Sequence, residues 1–241
     1  MDIEKVLSGI RMRHQMRMDA DFVENDHPRD KGGKFTSKGN ESGSNTASKE
    51  KSGTTNGVQF KMKPCASVKN FVRRVSEAAK SCRPEDAWRV TVPESEAAFN
   101  SDHKDAKIYT TDGGSTCAVT PDGDIVSVCR KKGDKCFGAD IMKHAVENGG
   151  RKLDSFSGNH DFYVKCGFEP VSWCGFSVEY APDGWDKKRD KWEPVIFYKY
   201  TGRSREEIVK DYPNVKSFLK NVPRSEDYDT ARNKRDLEMS K

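Results

Sequence analysis

A strand, a glycine-containing loop and a helix follow one another in the middle of the chain and could together bind an anion. The strand is predicted over residues 124–130, Gly133 lies in the loop, and Gly138 begins the helix. The first N–H groups of a helix have no intrahelical acceptor, which suits a phosphate group. Gly138 and Ala139 are small enough for its close approach. Positive charge around the loop comes from Lys131, Lys132 and Lys135. Most strand–loop–helix units bind no anion, so this spacing alone indicates only a candidate site.

The cysteines are a second group of residues that could do chemistry. The seven cysteines lie at positions 65, 82, 117, 129, 136, 166 and 174, and no two have the C-x-x-C spacing. Their spacings match no zinc pattern, and no histidine or asparagine is spaced to support a cysteine nucleophile. We therefore expect no metal site and no disulfide framework. The cysteines are interpreted as small apolar side chains in a reducing compartment.

The composition indicates a soluble protein with part of the chain outside any core. Of 241 residues, 34% are hydrophobic and 34% are charged, and the mean hydropathy is -0.90. No run approaches the roughly 18 apolar residues of a membrane-spanning helix, and the N-terminus lacks the apolar segment of a signal peptide. The net charge of +5 is spread along the chain, so we expect no nucleic-acid partner. These features predict a cytoplasmic protein without membrane contact.

The N-terminal part of the chain contains two kinds of segment. Residues 1–24 begin with apolar side chains at helical spacing, among them Ile3, Val6 and Ile10, and predict a short helix. Residues 25–64 are rich in Gly, Ser, Asn and Lys. Such a segment cannot bury enough apolar surface to offset the entropy lost on ordering, so we predict a disordered linker.

One mixed α/β domain is predicted over residues 65–202. Its first helix has apolar side chains at helical spacing, namely Val68, Phe71, Val72, Val75 and Ala79. The predicted strands are 87–92, 107–114, 115–124, 124–129, 151–156, 168–173 and 194–200, and the further helices are 94–100, 138–148 and 159–166. Residues 203–241 are predicted to be a helical, charged tail that is peripheral or disordered from Pro223 onward.

Residues 162–168 read FYVKCGF, which resembles a helix-to-strand motif of the GNAT superfamily of acetyl-CoA-dependent N-acetyltransferases. The segments GGSTCAVTPDGDIVSVC, HAVENGGRKLDSF, GFEPVSW and EPVIFYKYTG are more narrowly similar to GNAT-like proteins encoded by phages and prophages. The resemblance covers about residues 66–202. It implies a central, mostly antiparallel sheet that is splayed between strands 4 and 5 and flanked by helices. Acetyl-CoA would be the cosubstrate in the resulting cleft.

The resemblance also implies which residues contact acetyl-CoA. The family loop reads (Q/R)xxGx(G/A), and the corresponding positions here are Gly133, Cys136 and Gly138, so only the last glycine is kept. Arg130 with Gly133 gives an alternative match. Ser157 stands where many relatives have an asparagine that contacts the cofactor. The implied cofactor-binding residues are Val128, Cys129, Arg130, Gly133, Lys135, Gly138, Ala139, Ser157 and Asn159.

An acetyltransferase of this family acts by direct attack of an amine on the thioester carbonyl. A backbone N–H from residues 128–130 would hold the oxyanion. The resemblance implies Tyr163 as the proton donor to the CoA thiolate, because a phenol with a pKa near 10 stays protonated at neutral pH. The alternative interpretation of Tyr163 is an aromatic side chain that packs beside Phe162.

The general base is less clearly indicated. Glu169 is the first choice, because it leads into a strand that borders the cleft in this family. Other candidates nearby in sequence are Asp124, His144 and Asp154. The loop that contains Trp185 and Trp192 is interpreted as a packing lid, with an acceptor pocket as the alternative.

Two classes of function are therefore expected. The first is an N-acetyltransferase that transfers acetyl from acetyl-CoA to an unknown amine, a small molecule or a protein, in a bacterial host cell. The second is a catalytically inactive GNAT-like binding module of phage origin that acts through a host protein or a nucleic acid. A minor virion-associated protein is a further alternative, because DHPRDKGGKF at 26–35 is similar to linkers of phage-encoded proteins.

Overall fold

The structure is a computed structural model and describes residues 61–90, 92–178, 181, 185–188, 190 and 192–241. The predicted N-terminal helix (1–24) and residues 25–60 of the predicted linker lie outside the described residues. The strands are β1 (Lys63–Pro64), β2 (Lys107–Thr110), β3 (Thr116–Val119), β4 (Ile125–Cys129), β5 (Lys152–Phe156), β6 (Phe168–Cys174) and β7 (Val195–Tyr200). The helices are α1 (Val68–Ser81), α2 (Pro84–Ala87), α3 (Glu96–Asp102), α4 (Gly138–Glu147), α5 (His160–Lys165), α6 (Arg205–Asp211), α7 (Val215–Asn221) and α8 (Tyr228–Met239).

The strands form two antiparallel sheets that meet at one point. The first sheet has the order β1-β2-β3-β4 and the second has the order β5-β7-β6. Asp124, just before β4, and Lys152, the first residue of β5, form an isolated parallel bridge. Beyond this bridge, which we call the joint, β4 and β5 belong to separate sheets. The predicted mixed α/β class, with antiparallel sheets flanked by helices, is confirmed.

Helices cover both faces of the two sheets. On one face α4, α5 and α7 contribute Ile141, Tyr163 and Phe218 to a single cluster that contains side chains from both sheets. On the opposite face α1 and α3 pack on the first sheet. There α8 packs on the second sheet through Tyr228. Because the first cluster includes both sheets, burial of its apolar surface holds them together as one domain.

The predicted strand at 87–92 is wrong. Residues Pro84–Ala87 form α2 instead, with proline at the start of the helix, and Arg83 and Arg89 both bind the Asp86 carboxylate. Trp88 packs edge-on against Phe156, with ring centroids 4.8 Å apart. The alternating apolar residues of this segment therefore reflect contacts with two different sheets and not a strand period.

Two boundaries differ from the sequence prediction. Met62 is buried in the cluster shared by both sheets, and β1 pairs with β2, so ordered structure begins inside the predicted linker. The C-terminal segment is not peripheral, because Tyr228, Ala231 and Arg235 of α8 are completely or almost completely buried. The charged residues of α8 therefore belong to the domain.

Side chains of α8, together with Lys152, hold the joint by ion pairs and a hydrogen bond. Arg235 is fully buried, and its Nη1 lies 3.1 Å from Oδ1 of Asp124. The Tyr228 hydroxyl donates to Oδ1 of Asp154 on β5, at 3.0 Å. Lys152 Nζ lies 2.9 Å from Asp122 Oδ2. One helix thus contacts the Asp124 carboxylate next to β4 and the carboxyl group of Asp154 on β5.

Gly150 is required for the close approach of α4 to the joint. A Cβ at Gly150 would lie 2.5 Å from Cγ1 of Ile125 and 2.9 Å from the carbonyl oxygen of Ala145. We expect Gly150→Ala to lower the free energy of unfolding by about 1–3 kcal/mol, measured by urea denaturation, because overpacking displaces neighbouring atoms. Gly133→Asn is the control, because a side chain there would meet no atom within 4 Å and asparagine adopts the positive φ of this position more readily than most residues. Equal costs for the two variants would contradict this steric explanation.

Candidate functional site

The candidate site is the gap between β4 and β5. Beyond the joint, and among the described residues, each strand pairs on one side only, β4 with β3 and β5 with β7. Their other edges lie side by side at the joint, where the two strands begin in parallel. An edge strand presents unpaired backbone N–H and C=O groups. The gap can therefore bind an extended ligand that carries amide groups of its own.

A β-bulge interrupts β4 beside this gap. Thr116 pairs with Cys129 and Ala118 with Val126, so Ser127 and Val128 both lie opposite Cys117. Ser127 has a φ of 55°, in the left-handed region that is uncommon for residues other than glycine. A bulge takes one residue out of the strand pairing, and such strain often occurs at functional sites. No local pattern in the sequence predicts this conformation, because serine is ordinary in a strand.

The Asp134 carboxylate holds the loop from 131 to 137, here called the β4–α4 loop, in place by hydrogen bonds. This carboxylate is buried and accepts hydrogen bonds from Thr111 Oγ1, Ser115 Oγ (2.6 Å), Ser115 N–H (3.1 Å) and Cys136 N–H (3.2 Å). Burial raises the pKa of Asp134, but these donors outweigh it and hold the pKa below its usual value. Asp134 is therefore a stable anion inside the loop.

The Arg130 guanidinium binds two backbone carbonyl groups of the same loop. Its Nε donates to the carbonyl of Cys136 at 2.8 Å, and its Nη2 donates to the carbonyl of Asp134 at 3.2 Å. The guanidinium also lies over the ring of Phe137, 5.9 Å from the centroid. Arg130 thus organises the loop, a role that its sequence position alone did not reveal.

The start of α4 is only partly free to bind an anion. Gly138 and Ala139 are first-turn residues, whose N–H groups have no intrahelical acceptor. The N–H of Phe137, however, donates to Oδ2 of Asp140 at 3.2 Å. A Cβ at Gly138 would lie 3.1 Å from the ring of Phe162. The glycine is therefore needed for helix packing as well as for any ligand.

The remaining predicted loop residues differ in their surroundings. Gly133 has a φ of 83° and no atom within 4 Å of a Cβ position, so it serves the turn and not a close approach. Lys135 is exposed. Cys129 is buried in a cluster with α1, and Val128 is buried in the cluster shared by both sheets. The side chains of Cys129 and Val128 thus belong to the core, and only their backbone can serve a ligand.

Ser157 and Asn159 follow the carboxyl end of β5. The Ser157 N–H donates to the carbonyl of Pro194 at 2.9 Å, and the Asn159 amide donates to Ser155 Oγ at 3.3 Å. Between them, Gly158 N–H donates to Oε2 of Glu193 at 3.0 Å. These contacts fix the turn at the open end of the gap. Glu193 was missed by the sequence analysis, because only the fold brings it beside this turn.

Tyr163 lies on α5 in the cluster shared by both sheets. Its ring centroid is 5.0 Å from that of Phe162, 6.2 Å from that of Phe168 and 5.5 Å from that of Tyr198. No hydrogen-bond partner of its hydroxyl is found among the described residues. The residue is only 1% exposed, so its ring packs in the core.

Glu169 lies away from the open end of the gap. It pairs with Lys199, as does Lys152 at the joint, so Glu169 is level with the joint. Its carboxylate lies 3.1 Å from Arg203 Nη1, and Arg203 also binds Asp211 at 2.9 Å. Glu169 is thus part of an ion-pair network with the segment that leads into α6.

The other three candidate bases also have structural partners. Asp124 and Asp154 lie at the joint and contact α8. His144 packs edge-on against Tyr109, with ring centroids 4.6 Å apart. The pKa of His144 is lowered because burial disfavours its charged form. These three side chains, Asp124, His144 and Asp154, therefore have structural roles in packing or polar contacts.

The aromatic loop packs on the end of the second sheet. Phe176, Trp185 and Trp192 contact one another with ring centroids 4.9 to 5.6 Å apart. Phe176 also contacts Phe156 at the end of β5, at 6.3 Å. These contacts are those of a packing lid.

A cavity of about 200 Å³ lies at the opposite end of the gap from the predicted cofactor site. It is lined by Asp102, His103, Lys104, Thr120, Pro121, Asp122, Asp124 and Arg232. Asp122 and Asp124 are already in ion pairs with Lys152 and Arg235. Among the described residues, no group of His, Cys, Asp or Glu side chains could hold a metal ion. No helix in the described ranges is long and apolar enough to cross a membrane.

The resemblance to acetyltransferases rests on FYVKCGF and the neighbouring segments of this sequence, and it remains a prediction. The function is inferred from the arrangement of the residues. No family model, no curated protein and no solved structure matches this chain.

Proposed function

We propose that the chain has a GNAT fold, binds acetyl-CoA between β4 and β5, and transfers the acetyl group to an amine. The observation that carries this proposal is the gap between two strand edges that diverge from a single bridge at Asp124 and Lys152. The pantetheine arm of acetyl-CoA is an extended chain with two amide groups. Unpaired backbone groups on facing strand edges match such a ligand in shape and in hydrogen bonding.

The bulge in β4 supports an acyl-transfer reaction in the gap. Attack on a thioester carbonyl produces negative charge on its oxygen, and a fixed backbone N–H stabilises that charge. The N–H of Val128 is our candidate, since Ser127 and Val128 together lie opposite the single residue Cys117. Because the bulge is built into the fold, this donor needs no reorganisation during the reaction.

The β4–α4 loop and the start of α4 support binding of the diphosphate. Gly138 and Ala139 supply first-turn N–H groups. Lys135 supplies an exposed positive charge. Arg130 occupies the carbonyls of Asp134 and Cys136, so these two oxygens do not face an anion unpaired.

Proton transfer to the departing thiolate is assigned to Tyr163. The Tyr163 hydroxyl has no partner among the described residues and is free to protonate the departing thiolate. Glu169 is not carried forward as the base, because it is level with the joint and bound to Arg203. Glu193 is the carboxylate beside the turn at the open end, but it is buried and already paired with Arg89, so it is not assigned as the base either.

A second function, a binding module without acyl transfer, is favoured by one observation. The carboxylate of Asp140 already accepts the N–H of Phe137 at the start of α4. This negative charge competes with a phosphate for the same helix end. A protein that has kept the fold and lost the ligand would tolerate such a contact.

Ala139→Glu is expected to raise the Kd for acetyl-CoA at least about tenfold, measured by titration calorimetry. Ala139 is exposed in the first turn of α4, so the new carboxylate repels the diphosphate without disturbing the core. Ala139→Gln is the matched neutral control and is expected to bind within about twofold of the parent protein.

Three results of this titration separate the two functions. Binding that is weakened by Glu and kept by Gln supports the acetyl-CoA site. Equal binding by all three proteins would show that the diphosphate does not bind at the start of α4. Absence of binding by the parent protein at millimolar acetyl-CoA would overturn the acetyltransferase proposal in favour of the binding module.

A further inference from the structure

We propose that Arg130 and Asp134 are the positioning residues of the diphosphate site, which they shape in place of the glycines that the loop lacks. This inference rests on the proposed function and deepens it. It assigns the shape of the β4–α4 loop to two side chains, one of which, Asp134, is not part of the family motif quoted above.

The loop needs such support because its own sequence does not fix its shape. Between β4 and α4 the chain reads RKKGDKCF, with one glycine at 133. Its lysines at 131, 132 and 135 repel one another in a conformation that brings them together. A loop that must present several N–H groups to one anion has to lose its conformational entropy before or during binding.

Asp134 ties the loop to the first sheet. Its donors are Thr111 and Ser115, which lie between β2 and β3, and Cys136 in the loop itself. Lys131 N–H also donates to Ser115 Oγ at 3.0 Å. The loop is therefore bound at residues 131, 134 and 136 to one point of the sheet. The Asp134 charge is stabilised by these uncharged donors and is buried beneath the loop.

Arg130 fixes the orientation of two peptide groups. In a trans peptide the C=O and the following N–H point in opposite directions. By holding the carbonyl of Asp134, Arg130 also sets the direction of the Lys135 N–H, while the N–H that follows the Cys136 carbonyl, that of Phe137, donates to Asp140. The rigid, planar guanidinium holds the two carbonyls in a fixed geometry with separate nitrogen atoms, which the single ammonium nitrogen of lysine does not reproduce.

The test uses two acyl donors, acetyl-CoA and S-acetyl-pantetheine, which lacks the diphosphate. Hydroxylamine serves as the acceptor, and the released thiol is measured. For Arg130→Lys and Asp134→Asn we expect KM for acetyl-CoA to rise about tenfold to hundredfold with kcat within about threefold. The KM for S-acetyl-pantetheine is expected to stay unchanged. Lys220→Gln, which removes an exposed charge on α7, is the control and is expected to behave as the parent protein.

Each outcome decides a different question. No thiol release by the parent protein from either donor overturns the proposed function. An active parent with an unchanged KM in both variants overturns the positioning role of Arg130 and Asp134. A parent-like KM in Arg130→Lys would show that only the charge at position 130 matters, and this result would also overturn the positioning role. Equal losses with both donors would mean general damage to the fold, and the positioning role would be rejected.

Discussion

An Asp154→Asn variant is expected to gain stability relative to the parent protein as the pH rises from about 4 to about 7. Asp154 is fully enclosed at the joint, and burial raises its pKa from the usual 3.8 to about 7. Arg235, Arg232 and the Tyr228 hydroxyl act in the opposite direction, and Asp124 acts in the same direction as burial. Burial is the largest of these effects, so the neutral carboxyl is favoured in the folded protein.

The sign of the effect follows from proton binding. Between pH 3.8 and 7 the folded protein keeps a proton on Asp154 that the unfolded chain has released. Stability must then fall with rising pH, and the loss is complete above pH 7. A shift of about three units corresponds to about 4 kcal/mol. Asparagine carries no such proton, so the variant avoids this loss.

The measurement is urea denaturation of both proteins at pH 5, 6, 7 and 8. The difference in the free energy of unfolding should grow by several kcal/mol across this series. Asp229→Asn, on the exposed side of the first turn of α8, should show a constant difference from the parent protein. A constant difference for Asp154→Asn as well would mean that Asp154 is already ionised in the folded state.

Tyr163→Phe is expected to slow thiol release from acetyl-CoA about 100-fold or more while the Kd for acetyl-CoA changes by less than about twofold. The reason is that removal of a general acid typically costs two to four orders of magnitude in rate. The ring contacts with Phe162, Phe168 and Tyr198 do not depend on the hydroxyl. Packing should therefore survive the substitution.

Turnover is measured with hydroxylamine as the acceptor and binding by calorimetry. Tyr212→Phe is the control, because Tyr212 packs edge-on against Phe218 outside the gap and carries the same chemical change. If both variants keep the parent rate, Tyr163 is a packing residue and has no part in proton transfer.

The element types from residue 107 to 200 could be predicted because local signals agree with the tertiary contacts there. Turn residues end β3 and α4, and the buried side chains of α4, Ile141, Met142 and Ala145, have helical spacing. The segment 87–92 was mispredicted because Trp88 and Val90 contact different sheets. The burial of Arg235 could not be predicted, since its partner Asp124 lies 111 residues earlier in the sequence.

Only part of the candidate site could be predicted from the sequence, because several of its residues are brought together by long-range contacts. Gly138 and Ala139 were found because helix starts have a sequence signature. The left-handed Ser127 was not, because no local pattern marks a bulge at a serine. The roles of Asp134 and Arg130 depend on carbonyls and hydroxyls that the folded loop brings together. Long-range hydrogen bonds of this kind have no sequence period.

The facing edges of β4 and β5 also bear on how the protein behaves at high concentration. A free strand edge can recruit a strand from another molecule, and this is a common route to aggregation. Here each edge is turned toward the other, so a second chain can pair with either only when the gap opens. An occupant of the gap would remove both edges at once. Protein stored with such an occupant should therefore remain monodisperse for longer than protein stored without one.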